Sequence, residues 1–422
     1  MSRKPTPDLK FALPVFIGFL WLFQVLAVCA QDSLRSTTVA RPTASVNSTD
    51  SLWTSQLDLI DLYRKIIKKD STRRLDDKAQ HLSALPFVGY SLQTGFAGVF
   101  SANLGFYTSK HLHNVEKISS LLTSITYSQY HQIIFPVQAD IWTRNDNFNI
   151  IVDWRYMKYP STTFGLGGRS NVNDGYTIDF NYAKIHESLM RKIVPNVYVG
   201  LGFFYDYFWN VREVNPPSGV VTDFEKYGLT STVTASGPAF RLIVDTRKNQ
   251  INPDAGWYVN IVDRPNLTAL GSDNNWQSLL LEFRRYFNLP GESKNVLAFW
   301  SYNWLTVDGK PPYLLLPSTG WDDFYNTARG YIQGRYRGQD MIYLEGEYRF
   351  QLTRNGILGG VVFANAQSFS KELSKQFQII APGYGAGIRI KLNKFSGANL
   401  CVDYGWGLNG SQGIAVNLGE VF

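Results

Sequence analysis

Few side chains in this sequence are placed to do chemistry. The imidazoles are His81, His111, His113, His131 and His186. His111 and His113 have the spacing of a metal-binding pair, but they fall in an expected turn, where such a pair is ordinarily solvated. Gly383-x-Gly385-x-Gly387 has the look of a phosphate loop. No helix follows it, so these glycines read as strand positions facing a crowded interior. No Gly-x-Ser-x-Gly elbow occurs, and no Ser/His or Asp/His set can be assigned to one rim. The expectation is a protein that is not an enzyme, with no cofactor and no metal.

The elements that carry these residues are extended. Ile342, Leu344, Gly346, Tyr348 and Phe350 share one parity, and Tyr343, Glu345, Glu347 and Arg349 share the other. Ala386, Ile388, Ile390 and Leu392 alternate with Gly385, Gly387, Arg389 and Lys391. Leu400, Val402, Tyr404 and Trp406 alternate with Asn399, Cys401, Asp403 and Gly405. In the last segment Val416, Leu418 and Phe422 are expected on one lipid-facing side, with Glu420 breaking it. A soluble half-buried strand also alternates. Here the apolar parity ends in aromatics and the other is small, polar or charged, which suits lipid outside and a wet lumen inside. Composition agrees: aromatics are 15%, glycines number 35 and apolar residues reach only 44%. Past residue 30 no stretch approaches the ~20 apolar residues of a transmembrane helix. The fold class is therefore all-β, a transmembrane antiparallel β-barrel. A secreted β-sandwich is the competing architecture.

The chain divides into 1–30, 31–83 and 84–422. Arg3, Lys4 and Lys10 precede an apolar run, and Val28-Cys29-Ala30 offers a cut before Gln31, the pattern of a signal peptide. Cleavage there leaves Cys401 alone, so no internal disulfide can form. Residues 31–83 read as a periplasmic linker that carries an amphipathic helix at 52–69. Its basic cluster, Arg64, Lys65, Lys68, Lys69, Arg73 and Arg74, suits anionic lipid head groups or a periplasmic partner, and equally an ordinary solvated face. Nothing points to nucleic acid.

From residue 84 onward fifteen strand segments are clear, near 95–108, 118–128, 132–143, 147–160, 174–189, 195–210, 231–245, 256–264, 276–288, 294–307, 340–351, 356–367, 380–392, 396–407 and 411–422. Bacterial single-chain barrels have an even number of strands, with short periplasmic turns. Counting back from a periplasmic C-terminus makes 308–339 an outer loop and leaves 95–108 running downward. One earlier strand is required, and 85–90 is the candidate. The count becomes sixteen, with a short first strand broken by Pro86 and Gly89 and hence a weak seam to the last strand.

Three motifs in order carry a family resemblance. Thr327-Ala328-Arg329-Gly330-Tyr331, in the long outer loop, resembles the Arg-Gly-aromatic motif of the BamA/TamA outer-membrane assembly family, also called the bacterial surface antigen family. Asp245, Arg247, Asn249, Pro253 and Gly256 resemble its periplasmic turn, and the segments from Gly383 to Phe422 resemble its final strands. The resemblance covers about 84–422. It implies a sixteen-stranded barrel whose loop folds into the lumen, where Arg329 needs a carboxylate because an unpaired buried charge is costly. Glu347 matches the family's acid. Asn365 stands where a second acid is usual, and Glu345 and Asp403 are further acids in reach.

The resemblance also implies a bacterial outer-membrane location and a role in outer-membrane biogenesis or as accessory of a membrane complex. The member resembled is one lacking POTRA repeats, the client-receiving periplasmic modules. Phe422, Leu418 and Val416 would form the C-terminal signal read by the cell's barrel assembly machinery. Other expected partners are outer-membrane lipids and outer-membrane or periplasmic proteins. A passive pore or structural barrel is the alternative function.

Overall fold

The computed structural model describes residues 57–59, 61, 80–108, 117–289, 295–371, 375–394 and 397–422. The expected signal peptide, the basic cluster at 64–74, His111 and His113 lie outside them, as do most of the linker and of the helix expected at 52–69.

Alternation of lipid-facing and lumen-facing side chains produces a run of strands. The first half comprises β1 Gln80–Ser91, β2 Gly95–Phe106, β3 Ser119–Ser128, β4 Ile133–Trp142, β5 Phe148–Lys158, β6 Ser161–Thr163, β7 Tyr176–Val194, β8 Val197–Val214 and β9 Thr232–Asp245. The second half comprises β10 Gly256–Asn266, β11 Trp276–Asn288, β12 Val296–Gly309, β13 Met341–Gln351, β14 Leu358–Phe369, β15 Ala381–Lys391, β16 Asn399–Trp406 and β17 Gln412–Leu418. Neighbours in sequence pair antiparallel around the wall. The exception is instructive: β5 and β6 both pair with β7. They are one stave interrupted before Ser161 by Pro160, which has no N–H for the ladder. Seventeen segments thus make sixteen staves of a nearly closed barrel.

One expectation needs correction. The first strand is not short: it runs unbroken over 12 residues, with Pro86 opposite Phe100 and Gly89 opposite Ala97. Its far edge explains the tolerance. β1 lies beside β17, yet among the described residues no ladder joins them. A strand with one unladdered edge is where a missing N–H costs least. At the outer rim the Leu92 side chain sits over Gly413, where a Cβ would come within 2.3 Å of it.

The outer wall exposes Leu201, Leu344, Val362 and Ile388. Inside, the outer mouth is roofed by an apolar cluster. Leu314, Leu315 and Leu316 of the 310–340 loop pack there with Phe224 and Tyr227 of a short helix, Asp223–Gly228, and with Phe180 of β7. Arg335 and Arg337 pin the loop, donating to the backbone oxygens of Ser170 and Tyr313, each at 2.9 Å. At the periplasmic side the described part of the linker touches the last turns. The Leu57 N–H donates to the Asn355 carbonyl at 3.1 Å, and Lys394 pairs with Asp61 at 2.9 Å.

Candidate functional site: a charged lock in the lumen

Beneath the roof the loop turns back on itself, and Asp322 makes that turn. Its carboxylate accepts from the N–H groups of Phe324, Asn326 and Thr327, and from the Thr327 hydroxyl at 2.7 Å. This sets Arg329 against the inner wall. Its guanidinium donates to Glu345 and Glu347 of β13 and, at 2.6 Å, to Asp403 of β16. Its flat face lies 3.6 Å from the Phe363 ring centroid. All three carboxylates are buried. Three acids on one guanidinium satisfy a charge that would be costly alone in this interior.

Gly330 and Tyr331 fix the loop to β15 and β16. Gly330 has φ of 101°, a left-handed conformation that disfavours a side chain. A Cβ on it would also approach 2.9 Å from Gly405 and Trp406 backbone atoms. The Tyr331 hydroxyl donates to the Pro382 carbonyl at 2.5 Å and accepts from the Leu408 N–H at 2.8 Å. Asn365 acts differently from an acid at its place. It donates to the Arg329 carbonyl at 3.3 Å and holds backbone, not guanidinium. Asp403 supplies the further negative charge from another strand. The strand glycines give Arg329's wall partners room: a Cβ on Gly385 would meet the Phe363 ring at 2.3 Å, and one on Gly387 would meet Asp403 at 1.8 Å.

The chain end also departs from expectation. Ile414 and Leu418 are exposed on the outer wall. β17 stops at Leu418, Gly419 has φ of 89°, and the tail turns into the lumen. Phe422 is therefore not on the lipid side: it is 3% exposed and stacks on Trp300 at 5.2 Å between centroids. The Val421 carbonyl accepts from Asn326 of the loop at 2.8 Å. Glu420, the residue that broke the alternation, pairs with Arg389 at 2.8 Å and accepts from Asn399 at 2.6 Å. Burying Phe422 among aromatics and pairing Glu420 outweigh one more lipid-facing ring.

The periplasmic turn reaches the same place. Asp245 accepts from the Arg247 Nε at 2.9 Å and from Gln250 at 3.0 Å. Asn249 accepts from the Ile251 N–H at 2.8 Å. Gly256, with φ of 109°, returns the chain tightly past Thr246. The turn crosses the mouth: the Ile251 carbonyl accepts from the Glu420 N–H at 3.3 Å, and that of Pro253 accepts from Arg349 at 3.3 Å.

Arg349 therefore joins all three predicted groups. It pairs with Glu347 at 2.5 Å and donates to the Phe422 backbone oxygen at 2.8 Å as well as to Pro253. Sequence reasoning put Arg349 on the inward parity but gave it no role. Arg389, paired with Asp403 at 2.5 Å, was likewise missed. The available signal was an arginine on the lumen parity of a final strand, which in a barrel demands an acid.

The other half of the lumen is different. A cavity of about 1080 Å³ runs from the periplasmic turns at Asp146, Asn196 and Thr246 up to Leu314–Leu316. Its wall carries small ion clusters. Lys184 bridges Asp153 at 2.6 Å and Asp323 at 2.9 Å. Asp206 takes Arg264 at 2.5 Å and His186 at 3.0 Å. At the mouth Lys117 lies 4.4 Å over Trp142 and 3.5 Å from Asp245. Burial pulls its ammonium below the ordinary lysine range, and Asp245 acts the other way. Among the described residues no group of three His, Cys, Asp or Glu side chains is placed to hold a metal.

A model of the Omp85 superfamily domain matches residues 100–422. The chain belongs to the Omp85 superfamily. Solved Omp85-type barrels share its fold at low identity. BamA from Haemophilus ducreyi lacking POTRA domains 1–3 is 14% identical with a TM-score of 0.50, over 88% of this chain and 81% of that one. CdiB from Acinetobacter baumannii is 13% identical with a TM-score of 0.52, over 81% and 60%. CdiB from Escherichia coli is 11% identical with a TM-score of 0.54, over 82% and 63%. The chain thus spans under two thirds of either CdiB. No curated protein sequence matches it. As an Omp85 barrel it is an outer-membrane protein and not an enzyme.

Proposed function

We propose that this Omp85 barrel works in outer-membrane biogenesis, as accessory of a larger membrane complex, through the seam between β1 and β17. The observation that carries the reading is the missing ladder there, in a wall whose other neighbours are ladder-paired. An unpaired strand edge is a template for an incoming strand. The lock and the tail hold β13 to β16 beside this seam, so the edge parts from a fixed frame. Val416, Leu418 and Phe422 serve as the assembly signal in the unfolded chain, before Phe422 turns inward. Partners are outer-membrane and periplasmic proteins together with the surrounding lipid.

Joining the seam tests this. With Leu92→Cys and Gly413→Cys, oxidation in cells should reproduce the outer-membrane defect of a deletion strain, and reductant should relieve it. Normal membrane integrity with the bridge fully formed would refute gating. The cavity favours a second reading, a passive pore. The Leu314–Leu316 roof argues against it, and the expected single-channel record shows little steady conductance.

A further inference from the structure

The outer wall holds one cation in an unusual setting. Arg285 is on the lipid-facing parity of β11, since its neighbours Glu282, Arg284 and Tyr286 point inward: Glu282 and Arg284 line the cavity and Tyr286 meets Phe422. Directly across the ladders stand Trp257 of β10 and Phe299 of β12. Along its own strand it sits between Phe283 and Phe287. All four aromatics are exposed on the outer wall, from 37% to 43%. The guanidinium carbon lies 4.1 Å from the Trp257 ring and 4.5 Å from the Phe287 ring. Its Nε–H is buried without a hydrogen-bond partner, and among the described residues no carboxylate pairs with it. Every comparable arginine on the inner wall of β13 and β15 has an acid.

The position sets the depth. β11 runs down to Asn288 at the periplasmic rim, so Arg285 is about three strand residues, on the order of 10 Å along the strand, from its end. That is the level of the aromatic girdle, where ring edges meet the head groups. A guanidinium there can reach the phosphate layer, as long basic side chains do. Its planar fork matches a phosphate bidentately, and the two rings hold the fork in place.

We propose that Arg285 and its four aromatics form a seat for one phospholipid of the periplasmic leaflet. The guanidinium takes the lipid phosphate, and the acyl chains lie over Phe283 and Phe299. Recognition is of the phosphate, so phosphatidylglycerol and phosphatidylethanolamine both bind.

The test is native mass spectrometry of the full chain, released from detergent micelles doped with dioleoyl phosphatidylglycerol, dioleoyl phosphatidylethanolamine or the uncharged monogalactosyl diacylglycerol. The wild type should retain either phospholipid under activation that strips the galactolipid. Arg285→Gln should lower phospholipid retention about tenfold, with Arg285→Lys between, because lysine keeps charge and loses the fork. Should Arg285→Gln fail to give the heat-modifiable folded form, Trp257→Leu with Phe287→Leu, which frees the guanidinium, should weaken retention in the same direction. Equal retention by Arg285→Gln and wild type, or galactolipid held as firmly as phospholipid, overturns the seat. Retention that needs a co-purifying acidic protein overturns it too.

Discussion

The two sides of the lumen use the same residue types to opposite ends. Beside β13 to β17 the space is full: Arg329, Arg349 and Arg389 share Glu345, Glu347, Asp403 and Glu420 in one connected network. Beside β3 to β11 the charges form small separate clusters around the cavity. Both sides satisfy their ions, so charge pairing alone does not fill a barrel. What fills the first side is chain: a loop from above, a turn from below and the tail. The difference teaches that the strands next to the seam are braced from within, while the far wall is left accessible to water.

Removing the hub should have the largest effect. Among the described residues, Arg329→Ala leaves the buried Glu345 without a cation and takes one partner from Glu347 and Asp403, which keep Arg349 and Arg389. Losing one partner of a buried ion cluster costs about 3–5 kcal/mol. The heat-modifiable folded form should be lost or unfold at much lower denaturant; gel mobility equal to wild type would break the comparison. Gly405→Val comes next. A Cβ there would lie 2.7 Å from the Gly330 N, and overpacking of this kind costs about 1–3 kcal/mol. The 310–340 loop should become protease-sensitive while the barrel still forms. Glu420→Gln removes the charge between Arg389 and Arg349, and should cost on the order of 1–3 kcal/mol. Its specific mark is a change in tryptophan emission, because Phe422 stacks on Trp300. Lys184→Gln, on the open side, should cost less, about 1 kcal/mol, because the buried Asp153 keeps Arg155 and Asp323 is half exposed. An effect as large as that of Arg329→Ala would mean the two sides are equally braced.

Strand positions were legible because a barrel wall repeats one local rule: side chains alternate, and turns carry glycine, asparagine or proline. Parity of the count required the first strand, although its length was underestimated from Pro86 and Gly89. Arg329 and Glu347 were readable from a motif, and Asp403 and Glu345 as acids on the inward parity. The role of Arg349, the backbone role of Asn365 and the inward turn of Phe422 were not readable. Each depends on which segments cross the lumen, and no local pattern records that.

By itself the sequence settled the extended segments, which side of each meets lipid, and the need of Arg329 for acids, since these follow from nearest-neighbour alternation and from the cost of an unpaired charge. Only the closed cylinder decided where the loop, the turn and the tail meet. They are 70 to 170 residues apart in sequence, and one arginine, Arg349, is where the curvature of the wall brings Glu347, Pro253 and Phe422 together.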